Sequence, residues 1–321
     1  MRAVQITSLD GPSALEVVDV DEPSGDGMVL IDVHAAGVTF PEALQSRGEY
    51  QIKPPLPFTP GSEVAGIVRS APDGSGFSAG DRVAAFPGLG GFGEVVAAMP
   101  QAVFPLPESV SFEAGAGLPM NYLTMHFALV RRGGLRSGET VLVHGAAGGI
   151  GTAAVQLAKA LGAKVIAVTS SDEKADIARR AGADEVVSSD GFRDRVKEIT
   201  GGQGVDVVVD PVGGDRFTDS LRSLGREGRL LVIGFTEGEI PTVKVNRLLL
   251  NNIAVVGVGW GAFWMRDPSY LQEQWADLKP HVESGALNPV IGATFPLAEA
   301  GKAVGSLDER QALGKVVLTV R

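Results

Sequence analysis

The run VLVHGAAGGIGTAAVQLAKALGAKVIAV, Val141–Val168, joins an apolar strand to a glycine-rich turn, a helix and a second apolar strand. In that setting the turn has a chemical meaning. Backbone N–H groups left free at the helix start face outward, and the helix dipole favours negative charge there. Ala147, Gly148, Gly149, Ile150 and Gly151 carry the turn. Gly148 leaves room for a pyrophosphate to approach, and Gly151 lets the helix lie close on the strand. The first fingerprint position is Ala146 instead of glycine, so a search on glycine spacing alone passes it over. The plain alternative is a tight turn with no ligand; the full strand–turn–helix–strand context favours a dinucleotide.

The end of the second strand discriminates between dinucleotides. A 2′-hydroxyl is held by Asp or Glu roughly 20 residues past the glycines. Here the strand ends in Thr169, Ser170 and Ser171, with Lys174 following. Hydroxyls can donate to a 2′-phosphate and Lys174 can supply positive charge, so NADPH is the expected cofactor. Asp172 is the one residue that argues the other way; it is read as the cap of the helix DEKADIARR.

These residues need a frame. Strand runs TVLVH (Thr140–His144), KVIAV (Lys164–Val168), EVV (Glu185–Val187), DVVVD (Asp206–Asp210), RLLVIG (Arg229–Gly234) and IAVVGVG (Ile253–Gly259) alternate with helical segments. They are apolar throughout, as strands covered on both faces should be. The expectation is an α/β fold: a Rossmann, doubly wound, parallel six-stranded sheet. Asp210, Val212, Gly234 and Phe235 end its fourth and fifth strands, where ligands of such sheets bind. Before it, from Met1 to about Pro107, short β-rich runs at close spacing point to a barrel-like β domain. Between the two, SFEAGAGLPMNYLTMHFALVRRGGL reads as one helix with Ser111 as N-cap, Glu113 in its first turn and Gly133-Gly134 as the stop. A helix is expected around Ser269–Glu283 and a closing strand at GKVVLTV.

Composition bounds the rest. At 321 residues and 44% hydrophobic, the chain can build two cores. A net charge of −10 argues against general binding to nucleic acid or anionic membrane. No apolar run is long enough to span a bilayer. The absence of cysteine excludes disulfides and thiolate metal sites. The opening MRAVQITSLDG reads as strand and turn, and cytoplasm is the expected location.

The ordered set of motifs resembles the zinc-free quinone oxidoreductase branch of the medium-chain dehydrogenase/reductase superfamily. AAGVTFPEALQSRGEYQIKPPLPFTPGSEVAGIV (Ala35–Val68), LPMNYLTMHFAL, VLVHGAAGGIG, GRLLVIGF and the closing GKVVL carry the resemblance. It implies a GroES-like catalytic domain over residues 1–118, a Rossmann NADPH-binding domain over 119–261, and a return segment, 262–321, that completes the first. It also implies a homodimer joined through the last Rossmann strand, Ile253–Gly259. Zinc relatives carry a Cys ligand at the position of Thr39 and a His ligand at that of Ser62. His34, His126, His144 and His281 form no pair at metal spacing, so no metal is expected.

The resemblance also names a reacting face. Thr39 takes a position often held by Asn that touches nicotinamide or substrate, and Glu42 one often held by Asp. Tyr50 borders the acceptor pocket and either donates a proton or packs. Thr124 contacts the nicotinamide, with Asn121 and Tyr122 nearby, and Gly259 and Lys315 approach the cofactor. Trp260 and Phe263 line the acceptor pocket or belong to the dimer edge. The expected reaction is hydride transfer to a quinone or similar conjugated carbonyl, the cofactor supplying the chemistry and the protein position and dryness. Two alternatives stand beside it: reduction of the C=C bond of a 2-alkenal, enone or enoyl thioester, and NADPH binding with little turnover. A thioester reductase would call for a basic patch, for which Arg131, Arg132 and Arg136 are the candidates.

Overall fold

The computed structural model describes residues 1–321. Its N-terminal part is β-rich, with strands β1 (Arg2–Ile6), β2 (Leu15–Asp19), β3 (Val29–Val38), β4 (Glu63–Ser70), β5 (Arg82–Ala85), β6 (Val95–Ala98) and β7 (Val103–Pro105). Helix α1 (Phe40–Ser46) leads out of β3, and α2 (Phe112–Gly115) and α3 (Pro119–His126) follow β7. Next come β8 (Thr140–Val143), α4 (Gly149–Ala160), β9 (Lys164–Thr169), α5 (Asp172–Arg180), β10 (Glu185–Ser188) and α6 (Phe192–Ile199). The alternation continues through β11 (Val205–Asp210), α7 (Phe217–Ser223), β12 (Leu224–Val232), α8 (Asn246–Asn251), β13 (Ala254–Gly257) and α9 (Trp260–Trp264). Helix α10 (Tyr270–Glu283), β14 (Ile291–Pro296), α11 (Ala300–Asp308) and β15 (Lys315–Thr319) complete the chain.

Two compact units result. One takes Met1–Asn121, Pro268–Lys279 and Asn288–Arg321; the other takes Tyr122–Asp267 and Pro280–Leu287. In the first, a seven-stranded sheet runs β14-β15-β3-β4-β5-β7, with β6 also paired to β3. The closing strand β15 lies antiparallel to β3, with Val316 opposite Val38 and Leu318 opposite Ala36. Val29, Ile31, Val33, Val64, Val83, Phe92 and Val316 fill its core.

In the second unit all six strands are parallel, in the order β10-β9-β8-β11-β12-β13. This is the doubly wound dinucleotide order, whose direction reverses between its first and fourth strands, here β8 and β11. The central strands are buried along their length because helices cover both faces. Leu142, Ile166, Val168, Val205, Val208 and Leu230 form the core on one side. Strand β13 pairs only with β12, is half-exposed, and at four residues is shorter than the apolar run Ile253–Gly259.

Two local expectations need correction. The segment from Ser111 to Gly134 is not one helix. Ser111 does cap, its hydroxyl accepting the Ala114 N–H at 3.2 Å, but α2 stops at Gly115. A second helix begins at Pro119, which has no N–H to give and disfavours helical geometry in the residue before it. The last stretch, Phe127–Arg132, widens into a π-helix. Asp172 is not the cap of α5 either. Ser171 takes that place, accepting the Lys174 N–H at 3.3 Å, while Asp172 and Glu173 sit in the first turn against the positive end of the helix dipole. No helix is long and apolar enough to cross a membrane.

Candidate active site

The glycine-rich turn leaves the carboxyl end of β8 at the point where the sheet order reverses. Gly148 is the extended N-cap of α4, and Gly149, Ile150 and Gly151 form its first turn. A Cβ at Gly151 would lie 2.1 Å from the Gly145 carbonyl oxygen and 2.6 Å from Ala146 Cα, so only glycine permits this approach of helix to turn. At Gly148 the nearest atom to a Cβ is 3.5 Å away. One glycine thus closes the inner face, and the other keeps the outer face open to a ligand. Thr152 secures the start, its hydroxyl donating to the Gly148 carbonyl at 3.0 Å.

The rim of this unit is tied together across neighbouring strands. Asp210, buried at the end of β11, accepts the Val212 and Gly213 N–H groups at 2.9 Å each. Backbone bonds from Thr236 to Pro211 and from Glu237 to Val212 clamp the loop carrying Gly234 and Phe235 to the loop after β11. Thr169 is buried at the end of β9 and Ser170 is exposed beyond it. Lys174 Nζ donates to Ser170 Oγ at 3.4 Å, so the hydroxyl and ammonium expected at the 2′-phosphate stand side by side. His144, just past β8, is sealed in: Nε2 pairs with Ser220 Oγ at 2.8 Å and Phe192 meets the ring edge-on at 4.9 Å. Burial pushes its pKa down to about 4.

Other expected residues of this unit have settled partners. Thr124 and Tyr122 are buried in α3, and the Tyr122 hydroxyl donates to Gln156 at 2.5 Å. Gly259 precedes α9 and is exposed, whereas Trp260 is buried. The Phe263 ring stacks obliquely on Phe127 at 5.1 Å and carries the Arg131 guanidinium 4.5 Å above it. Arg132 donates to the Gly257 carbonyl at 3.0 Å. Two of the three arginines considered for a carrier phosphate are therefore engaged in packing their own unit.

In the first unit, Thr39 caps α1, and Glu42, three residues on, returns to it in a capping box. Glu42 Oε2 accepts the Thr39 N–H at 2.7 Å and lies in short contact with Thr39 Oγ1. Its Oε1 accepts the Ser62 N–H at 3.1 Å and faces Ser62 Oγ at 2.9 Å. Beside it, Lys315 Nζ donates to Glu63 Oε1 at 2.5 Å and to the Val38 carbonyl at 2.9 Å, and Glu63 Oε2 accepts the Met120 N–H at 2.7 Å. All five side chains are buried. Burial drives the Glu42 carboxyl above its usual range, against the opposing pull of Thr39, Lys315 and Ser62. Tyr50 is half-buried past α1; burial, then the nearby Glu42 charge, raises its phenol. Asn121 ends this unit and is buried. Glu63 was not among the expected site residues; nothing in PGSEVAG marks it, because its partner is 252 positions away.

Residues 25–108 match the family described as alcohol dehydrogenase GroES-like domain, and residues 149–278 the family described as zinc-binding dehydrogenase. The rat protein named quinone oxidoreductase-like protein 2 is 39% identical over 324 residues, covering 100% of this chain and 92% of its own length. This chain belongs to the zinc-free quinone oxidoreductase branch of the medium-chain dehydrogenase/reductase superfamily. Among solved structures, a probable oxidoreductase from Mycobacterium abscessus superposes with a TM-score of 0.91 at 48% identity, covering 100% of this chain and 99% of the other. The quinone oxidoreductase of Thermus thermophilus, solved also as its complex with NADPH, gives 0.86 at 37% identity, with 100% of each chain covered. This oxidoreductase departs from the zinc enzymes in its chemistry at two positions. Where a metal would need thiolate and imidazole, Thr39 and Ser62 present hydroxyls that meet a carboxyl group, and no three His, Cys, Asp or Glu side chains converge to hold an ion.

Proposed function

We propose that this oxidoreductase uses NADPH to reduce a quinone or a similar conjugated carbonyl, without a metal, in the cytoplasm. The observation that carries the cofactor reading is the end of β9. Ser170 and Lys174 stand together there, and no carboxylate occupies the strand end to hold a 2′-hydroxyl or repel a 2′-phosphate. The open face at Gly148 and the N-terminal amides of the twelve-residue helix α4 suit the pyrophosphate. Bound NADPH would supply the hydride. The chain's own part is to bind and orient: Ala147–Gly151 at the diphosphate, Thr169, Ser171 and Lys174 at the adenosine end, and Asp210, Val212, Gly234 and Phe235 as the rim. Asn121, Thr124, Gly259 and Lys315 complete the nicotinamide surroundings in this reading, and Thr39, Glu42, Tyr50, Trp260 and Phe263 the acceptor side. The family's named relatives, quinone oxidoreductases among them, support the acceptor class.

A second copy of the chain completes the proposed assembly. Strand β13 leaves one edge of the sheet unpaired, and Leu249 and Leu250 on the adjoining helix α8 are 76% and 75% exposed. An unpaired edge beside apolar side chains is a natural site for strand-to-strand association.

The test is anaerobic oxidation of NADPH and NADH with an ortho-quinone, a 2-alkenal and an enoyl thioester in parallel. Rapid loss of NADPH with the quinone is the expected result. Turnover confined to the two C=C acceptors would overturn the acceptor assignment and leave the cofactor assignment standing. Lys174→Ala should weaken NADPH about fivefold and leave NADH unchanged, since an exposed charge contact contributes about 1 kcal/mol. Equal weakening of both cofactors would contradict the 2′-phosphate site.

A further inference from the structure

His144 is the last residue that the sheet of the second unit holds before the phosphate turn. Its N–H donates to the Val209 carbonyl at 3.0 Å, and Gly145, with a φ of 58°, then bends the chain away. The Gly145 carbonyl fixes the rest of the turn. It accepts the Gly148 N–H at 3.0 Å, and it is the atom against which Gly151 closes. Pro211 and Val212, of the loop after β11, also border Gly145: their side chains lie 3.5 and 3.4 Å from where a Cβ would stand. Asp210 holds that loop through the Val212 and Gly213 N–H groups. A displacement of His144 therefore moves the root of the turn and its contact with the neighbouring loop together.

The hydrogens on the His144 ring can be assigned from its partners. The ring is 1% exposed and touches Phe192 of α6 and Ser220 of α7. Ser220 has one hydroxyl hydrogen and two neighbours, the Arg216 carbonyl at 3.0 Å and His144 Nε2 at 2.8 Å. A carbonyl only accepts, so the bond to Arg216 exists only if Ser220 donates to it. Nε2 then carries the ring hydrogen and donates to Ser220 Oγ. Nδ1 is left as a lone pair that no donor meets. The opposite tautomer would bury an N–H with no acceptor, the costlier defect, and would break the bond to Arg216. Hydrogen on both nitrogens would repeat that defect and place a buried charge between Asp210 and Arg216, the two charged groups that face the ring.

We propose that His144 is a positioning residue for the dinucleotide. The chain of bonds from His144 Nε2–H to Ser220, and from Ser220 to the Arg216 carbonyl, is a strut between the root of the phosphate turn and the start of α7. It keeps Gly148–Gly151 in the shape that receives the diphosphate. This rests on the reading that the turn holds the cofactor. The buried ring acts through Gly145 and not by contact. Without the strut the turn leaves its receiving shape for part of the time, and apparent affinity falls with the competent fraction. The diphosphate is common to both dinucleotides, so the loss falls equally on NADPH and NADH, unlike the loss expected from Lys174→Ala.

The test uses the whole protein. Nitrogen NMR with labelled histidine should show His144 with hydrogen on Nε2 and none on Nδ1 at neutral pH. Calorimetric titrations give Kd for NADPH and NADH. His144→Phe keeps a ring beside Phe192 but has no donor; it should weaken both about fivefold, the scale of one net hydrogen bond. Ser220→Ala should do the same, and the two changes combined should add nothing further. His144→Gln can still donate to Ser220 and should bind both within about twofold of wild type. A lower Tm in His144→Phe and Ser220→Ala with both affinities unchanged would reveal a purely structural bond and overturn the proposal. Hydrogen on Nδ1, or a loss confined to NADPH, would overturn it as well. If His144→Phe does not fold, Ser220→Ala and the wild-type spectrum decide. A wild type that binds neither dinucleotide overturns the cofactor reading, and the strut with it.

Discussion

Exchanging either glycine of the phosphate turn for alanine should give opposite phenotypes, because the two added methyl groups meet different surroundings. At Gly151 the methyl would fall 2.1 Å from one backbone atom and 2.6 Å from another. Backbone cannot rotate aside, so α4 has to move off the turn. Overpacking of this kind costs about 1–3 kcal/mol, and contacts this close belong at the upper end. At roughly 2–4 °C per kcal/mol for a domain of this size, Gly151→Ala should lower Tm by roughly 6–12 °C. At Gly148 the backbone φ is −86° and the nearest atom is 3.5 Å away, so the methyl fits the fold within about 0.5 kcal/mol. It would stand where a phosphate oxygen must approach. Loss of one charge-assisted hydrogen bond, about 1.5–3 kcal/mol, weakens Kd for NADPH roughly 10- to 150-fold. Thermal melts followed by circular dichroism, with NADPH titrations followed by fluorescence, separate the two effects. A Gly148→Ala protein that melts as early as Gly151→Ala, or that binds NADPH as tightly as wild type, would refute the reasoning.

Lys315→Met should destabilise by about 3–5 kcal/mol in urea, because Glu63 is left as a buried unpaired charge, and adding Glu63→Gln should recover most of the loss. A double variant no more stable than the single would place the damage in packing. His144 is lowered to about 4 in the folded chain against about 6.5 unfolded, so the unfolded state binds its proton first. The stability from keeping it neutral is complete above about pH 6.5 and is lost as pH falls toward 4, on the order of 3 kcal/mol in all. Urea midpoints at a series of pH values should show this slope in wild type and a flatter one in His144→Gln. Leu249→Glu combined with Leu250→Glu should convert a dimer to a monomer in light scattering with no change in the far-ultraviolet dichroism; a wild type already monomeric at micromolar concentration would remove the proposed interface.

The central strands β8, β9 and β11 could be read from sequence because burial on both faces leaves a continuous apolar run that no context disguises. The same holds for the glycine turn, where strand, glycines and helix follow one another within a single βαβ unit, and for Ser111, whose capping bond spans three residues. Legibility failed where two local signals competed. At Ser111–Gly134 the apolar spacing of one helix hid the break at Pro119. At α5 an acidic residue and a serine were both fit to cap, and backbone geometry chose Ser171. At β13 the apolar run outlasts the paired strand, because an edge has a neighbour on one side only.

The buried polar cluster was the least legible part. Glu42 and Thr39 lie within one turn of helix and their pairing follows from a short-range motif, yet the same carboxyl also meets Ser62, 20 positions on, while Lys315 crosses 252 positions to reach Glu63. The sequence by itself determined the central strands, the phosphate turn and the absence of thiolate ligands, since each depends on residue type and near spacing. The tertiary structure alone decided which charges share the interior, because strand β15 returns to β3 only in the folded sheet, and desolvation acts on whatever that return brings together.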